Sequence, residues 1–499
     1  MDRNPISDLE AVAAMPGLEQ LAAVIARHVQ PGRGSAADPV SMMIFLAGRW
    51  AFGSANTFDS AARSTDLWET LRGSAARVGR VLPEPPPTFS QLSHLRRAAT
   101  AGLGSDLSLE FTKVAVELAK SVGLLNPDDV EHWDKPSAST VIYGDGSVFR
   151  PLSSVTMDDE GVVQGSRAKL TPRIGPHFKG KKGDDHLSGI PIAAVGCHGR
   201  RRWQRVLLAF DYYVDRNEIG SSMKLFKRVI ELAGGGVSHV VYDRLMAGIH
   251  VRELLKQGVI PVVAMTEAGL GESHVKLPYE LQRTGYRSAG VQAREKMSDR
   301  EAKKVAPKER LTVHHWTIVD HPTPNGRCSH DLSALDGAVV TTPPGVDPTL
   351  DSLYVRCIDL TWRELADGQH PIGTLLVPCQ PPFTVEIDFA ADRKGRKSKN
   401  GSPSPLADWI RPIPEITPYS SSIEGLRSDV ESVFSSLKAL LPRNRAGSLD
   451  PDDFLLDAIG AGLHCNAVAW DVHVSLHTRC AQHEAKLDRR GLRRKPVTA

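Results

Sequence analysis

Three acidic residues, Asp145, Asp243 and Glu431, stand far apart in this sequence, each in a context from which it could hold a hard divalent cation. Three carboxylates around one point are costly unless cations neutralise them; otherwise their pKa values rise and protons fill the site. Oxygen donors of this kind suit Mg²⁺ or Mn²⁺, which keep waters and substrate phosphate oxygens as further ligands. Two such ions about 3.5–4 Å apart activate a nucleophile and stabilise the leaving oxygen of an in-line phosphoryl displacement. Arg427 and Lys438 flank Glu431 in sequence and suit clamping of phosphate.

The stretch 421–441, SSIEGLRSDVESVFSSLKALL, must position the last of these carboxylates. Leu426, Val430, Val433, Leu437 and Leu440 recur at helical intervals. Ser421 with Glu424 forms a capping box at the start. At helical pitch, Arg427, Glu431 and Lys438 fall within roughly 40° of one another, so one carboxylate is flanked by two cations along a single stripe. On the plainer reading these are solvated charges of a surface helix. Of two rival carboxylates, Asp429 falls about 160° from Glu431 around the helix and points away; Asp211 is the other.

Strands must position the aspartates. Thr140-Val141-Ile142-Tyr143 is a β-rich run that ends at Gly144-Asp145-Gly146, where Asp145 serves equally well as a turn-former. A basic loop, 151–188, carries Lys179 and Lys181. Strands at 190–195 and 206–214 follow, separated by a basic turn containing Arg201. A helix with Phe226, Val229, Ile230 and Ala233 on one face leads to the strand His239-Val240-Val241-Tyr242. That strand delivers Asp243, followed by Arg244, at its C-terminal end. A helix at 245–257 and a strand at 259–265 complete the series. Three strands that can form a meander, then two β-α-β connections, imply a mixed sheet in which the first and fourth strands can lie side by side.

Around this core, residues 1–125 read as a helical, DNA-binding type of domain, with a capping box at Ser7 and Glu10, an Asp38-Pro39 helix start and a short helix bearing His94, Arg96 and Arg97. The core begins at 135 and runs to 285. Residues 286–415 are rich in Thr, Val, Pro and Gly and read as a β-rich insertion with a solvated basic loop at 393–399. The core resumes over 416–483, including a long apolar helix from 453 to about 474, and ends in a basic tail, 484–499. In 499 residues with net charge +3 there is ample length for a buried core, and disordered or fibrous classes are excluded. Six scattered cysteines offer no C-x-x-C pair, and His314, His315, His321, Cys328 and His330 match no tight zinc spacing. With no apolar run long enough for a membrane span and no signal-peptide pattern, a reducing cytoplasm is expected.

Asp145 and Asp243 at strand ends, Arg244, and Arg427-x3-Glu431-x6-Lys438 on a late helix resemble the DDE transposases of bacterial insertion sequences. The pattern is similar to the branch whose third motif reads Tyr-x2-Arg-x3-Glu-x6-Lys. Here Glu424 stands at the Tyr position, and Arg244-Leu245-Met246 replaces the Arg-Gly-Tyr that often follows the second Asp. The resemblance covers about residues 135–480. It implies an RNase H-like α/β fold, a mixed sheet flanked by helices and interrupted by a β-rich insertion, with an N-terminal helical domain. It further implies two Mg²⁺ or Mn²⁺ ions on Asp145, Asp243 and Glu431, cleavage at transposon ends, and attack of the freed 3′-OH on target DNA. Arg427, Lys438, Arg244, Lys179, Lys181 and Arg201 would contact phosphate, and Trp316, Trp362 or Trp409 would stack on a flipped base if not packed in the core. The implied partners are double-stranded DNA and a second copy on it, in the cytoplasm at the nucleoid. A catalytically silent DNA-binding descendant and a nuclease of the same fold are the other readings.

Overall fold

A computed structural model describes residues 4–29, 38–64, 66–98, 102–129, 132–149, 190–199, 204–213, 217–243, 245–263, 356–377, 383–397 and 451–489, with short pieces elsewhere, among them Phe434, Ser435 and Lys438. It is a mixed α/β chain whose central sheet has five strands. These are β1 (Val141–Phe149), β2 (Ile190–His198), β3 (Arg205–Tyr212), β4 (His239–Tyr242) and β5 (Ile260–Val263), in the order β3-β2-β1-β4-β5. β1–β2 and β2–β3 pair antiparallel, whereas β4–β5 pair parallel. The antiparallel meander and the parallel β-α-β step are therefore both present, as the alternation of apolar runs and helical faces predicts.

Contacts divide the chain into two compact units. The first takes in residues 1–129, 138–237 and 429–499. Its helices are α1 (Pro5–Ala14), α2 (Leu18–His28), α3 (Pro39–Ala51), α4 (Ala55–Ser64), α5 (Leu67–Arg77), α6 (Phe89–Ala98), α7 (Gly104–Ser121) and α8 (Glu218–Ala233). To these is added the long α10 (Pro451–Arg489). Asp38 caps α3 as the sequence implies, accepting from the Ser41 N–H at 2.8 Å, with Pro39 next. α1 starts a turn earlier than its Ser7 signal: Asn4 is the cap and Pro5 the first residue. Glu10 is consequently free of the capping role and accepts from the Ser74 hydroxyl on α5 at 2.9 Å.

The first five turns of α10 bury apolar residues all round, including Phe454, Leu455, Ile459, Leu463 and Ala467. α1, α3, α7 and β3 pack against this helix. Close approach depends on two glycines: a Cβ at Gly460 would sit 2.6 Å from the Leu46 carbonyl oxygen, and one at Gly462 would sit 2.6 Å from the Phe111 ring. Asn466 faces β3 beside its bulge, accepting from the Leu207 N–H and donating to the Leu207 carbonyl, each at 2.8 Å. Arg96 turns inward, bonding Asp453 at 3.0 Å and Asp457 at 2.6 Å, and Arg49 also pairs with Asp457. Asp457 has no exposed side-chain surface. Arg96 is thus an anchor for α10 and not the surface phosphate contact that a basic helix suggests.

The second unit, residues 130–137 and 238–428, contains β4, α9 (Gly248–Leu255), β5 and a β-rich stretch. This stretch includes the antiparallel sheet β6 (Arg356–Leu365), β7 (Gly368–Val377) and β8 (Phe383–Asp388). The β6–β7 turn is tied to α9: the Gln369 N–H donates to the Lys256 carbonyl at 2.8 Å, and Lys256 pairs with Asp367. His370 is held between Asp388 at 2.8 Å and Asp367 at 3.0 Å. Among the described residues no single helix is long and apolar enough to cross a membrane.

Candidate metal centre

Asp145 lies within β1, not at its end. Its register partner on β2 is Ala194, and pairing continues to Phe149. The turn reading of Gly144-Asp145-Gly146 is therefore corrected. Both glycines are there for close packing by α8. A Cβ at Gly144 would run into the Phe226 ring, and one at Gly146 into the Glu218 carboxyl group, both nearer than real Cβ contacts come. At 144 the strand needs a missing side chain to pass under the helix, because Phe226 is packed in the core; at 146 the missing side chain leaves room for the Glu218 carboxyl group.

Glu218 is the first residue of α8, whose cap is Asn217; the Asn217 side chain accepts from the Gly220 N–H at 3.1 Å. The Tyr213 hydroxyl donates to Glu218 at 3.1 Å. Burial pushes the Tyr213 phenol well above its ordinary value, and the negative charges of Glu218 and Asp145 push it further. The phenol therefore stays protonated and remains a donor that fixes the Glu218 carboxylate.

Asp243 directly follows β4. One of its carboxylate oxygens accepts from the Leu245 N–H at 2.8 Å, an Asx turn that holds the side chain in place. One oxygen from each of Asp145, Glu218 and Asp243 lies within 4.8 Å of the other two, and all three residues are half-buried. Asp211, the rival carboxylate, is not in the group. Burial raises its pKa, with Arg228 and Lys224 acting against the rise.

Lys438 donates to the Ser147 hydroxyl at 2.7 Å and lies 5.4 Å from the centre of the Phe149 ring. Asp145, Ser147 and Phe149 alternate along β1, so this cation is held on the same face of the strand as the aspartate. Phe434, four residues before Lys438, packs on Phe149 with ring centres 5.9 Å apart. Glu431, Arg427, Arg244, Lys179, Lys181, Arg201, Trp316 and Trp409 lie outside the described residues. Trp362 is described: it sits on β6 opposite Pro371 and is 38 % exposed, so the core-packing alternative does not apply to it.

Of the sequence candidates, then, Asp145 and Asp243 come together, Lys438 reaches the same strand, and the third described carboxylate is Glu218. Sequence reasoning passed over Glu218 because an acid in the first turn of a helix is ordinary, favoured by the helix dipole alone. No protein-family model matches the chain, and no curated protein matches it in sequence.

Three converging carboxylate oxygens with an ammonium group along the same strand suit a hard divalent cation and an anionic substrate. Sulfur and imidazole donors are absent from the group, which disfavours zinc-type chemistry there.

Proposed function

We propose that this chain is a metal-dependent DNA transposase of the DDE type, cleaving at the ends of a mobile element and joining the freed 3′-OH to target DNA. The observation that carries the reading is the approach of Asp145, Glu218 and Asp243 oxygens to within 4.8 Å of one another. The order β3-β2-β1-β4-β5 is in keeping with an RNase H-like core. The β6–β8 sheet is in keeping with a β-rich insertion between the second Asp and the Glu.

The donors fit Mg²⁺ or Mn²⁺, which Asp145, Asp243 and Glu431 would hold, with Glu218 as a further oxygen donor. When bound, such ions supply an activated water or 3′-OH and charge stabilisation at the leaving oxygen. The protein's own residues prepare that chemistry. Tyr213 keeps the Glu218 carboxylate aimed by hydrogen bonding. Lys438, steadied by Ser147, offers a cation to a DNA phosphate and lowers the cost of gathering acids. Arg427, Arg244, Lys179, Lys181 and Arg201 add phosphate contacts, which position the duplex without reading its sequence. Trp362, exposed on β6, is the base-stacking candidate. The partners in this reading are double-stranded transposon ends, target DNA and a second copy of the chain, at the nucleoid.

A nuclease of the same fold is the second reading. Three carboxylates already meet without Glu431, so hydrolysis alone would require nothing from the 421–441 stretch.

A plasmid carrying the DNA that flanks this gene, incubated with the protein and Mg²⁺ or Mn²⁺, separates the readings. Excision with joined products, lost in Asp243→Ala, supports transposition. Hydrolysis without joining supports the nuclease, and DNA binding without any cleavage supports a silent descendant.

A further inference from the structure

Helix α10 leaves its buried surroundings in its second half, and there it carries His473 and His477. His473 is half-buried and His477 exposed. Four residues apart on a helix, they project from the same face one turn apart. Their ring centres lie 4.3 Å apart and their planes are inclined by 50°. Two imidazole nitrogens on one tetrahedral ion stand about 3.3 Å apart for Zn–N bonds of 2.0–2.1 Å. The ring centres, 4.3 Å apart, are on the scale of that separation.

We propose that His473 and His477 form a bidentate clamp for a borderline divalent transition ion of the Zn²⁺, Ni²⁺ or Cu²⁺ class. The chemistry is distinct from that of the carboxylate group. Imidazole is the favoured ligand of these metals, whereas all-oxygen donors select Mg²⁺ and Mn²⁺. One helix supplies two ligands, so water fills the remaining positions unless a further side chain joins.

The plainer account is a stacked pair of aromatic rings on a helix surface, and it makes a different forecast. Replacing both rings by phenylalanine keeps the stacking surface but removes every ligating nitrogen. The test is competition between the full-length protein and a chromophoric chelator for Zn²⁺, with excess Mg²⁺ present to occupy the carboxylate group. The clamp requires that the wild type withdraw one Zn²⁺ and that H473F/H477F lose this affinity by about tenfold or more, the scale on which metal sites respond to lost support. Single His477→Gln, at the exposed position, must weaken Zn²⁺ as well, which guards against misfolding of the double variant. Cobalt(II) should give a visible d–d spectrum that the double variant lacks. Wild-type protein that takes up no Zn²⁺, or equal uptake by wild type and H473F/H477F, overturns the proposal.

Discussion

The Glu218 carboxyl group occupies the space that a side chain at position 146 would take, so Gly146 and Glu218 form a matched pair between strand and helix. The flanking glycine is what allows the helix to bring an acid to the aspartate of β1. Gly146→Ala must displace Glu218, the flexible partner, and should leave the fold intact. The expected result is at least about tenfold weaker Mn²⁺ binding with a folding free energy changed by no more than about 1 kcal/mol. Calorimetric titration and urea unfolding measure the two.

Gly144 provides the contrast. A methyl group there meets the ring of Phe226, which is packed in the core and cannot yield cheaply. Gly144→Ala is expected to destabilise by about 1–3 kcal/mol through overpacking, read from the urea midpoint at constant slope. Gly460→Ala, pressed against the Leu46 carbonyl, belongs to the same class.

Much of the sheet was legible beforehand. The short apolar run His239–Tyr242 marks a buried strand, and Asp243 follows it as expected. Asp145 was harder. Gly-Asp-Gly is a turn signal when read locally, and only the packing of Phe226 and Glu218 explains why glycines interrupt a continuing strand. Glu218 was hidden because it looks like any first-turn acid. The inward role of Arg96 could not be read at all, since Asp453 and Asp457 stand at the other end of the chain.

The buried cluster of Arg49, Arg96, Asp453 and Asp457 ties α3 and α6 to α10. Burial by itself would raise the Asp457 pKa, but the two guanidinium groups outweigh it and hold the carboxyl below its ordinary range. The stability from this carboxylate is therefore fully present above the unfolded value near 4 and is lost as pH falls through the lower folded value. Asp457→Ala removes the carboxylate that Arg49 pairs with and leaves Arg96 with Asp453 alone, and is expected to cost about 3–5 kcal/mol, measured by denaturant unfolding near neutral pH.

His464 on α10 bonds Asp8 of α1 at 3.2 Å. Burial would lower the His464 pKa, yet its bonds to Asp8 and Cys465 prevail and raise it to about 9. A raised value means that the stabilisation is complete below about 6.5, the unfolded value, and disappears as pH climbs through about 9. The wild type should lose thermal stability across that window, and His464→Gln should show a flatter profile.

Lys438→Gln keeps a hydrogen-bonding group near Ser147 but removes the positive charge held on that face of β1. The expected outcome is normal folding, with DNA binding that is weaker and less steeply dependent on salt by about one counterion. Filter binding over a range of salt concentrations gives that slope.

Anomalous diffraction at the manganese edge, from crystals grown with Mn²⁺, shows whether these carboxylates hold an ion. A manganese peak at the Asp145, Glu218 and Asp243 carboxyl groups is expected, and it should disappear in Asp145→Asn. Manganese bound only elsewhere, or a carboxylate group that stays without density at saturating Mn²⁺, would contradict the metal centre.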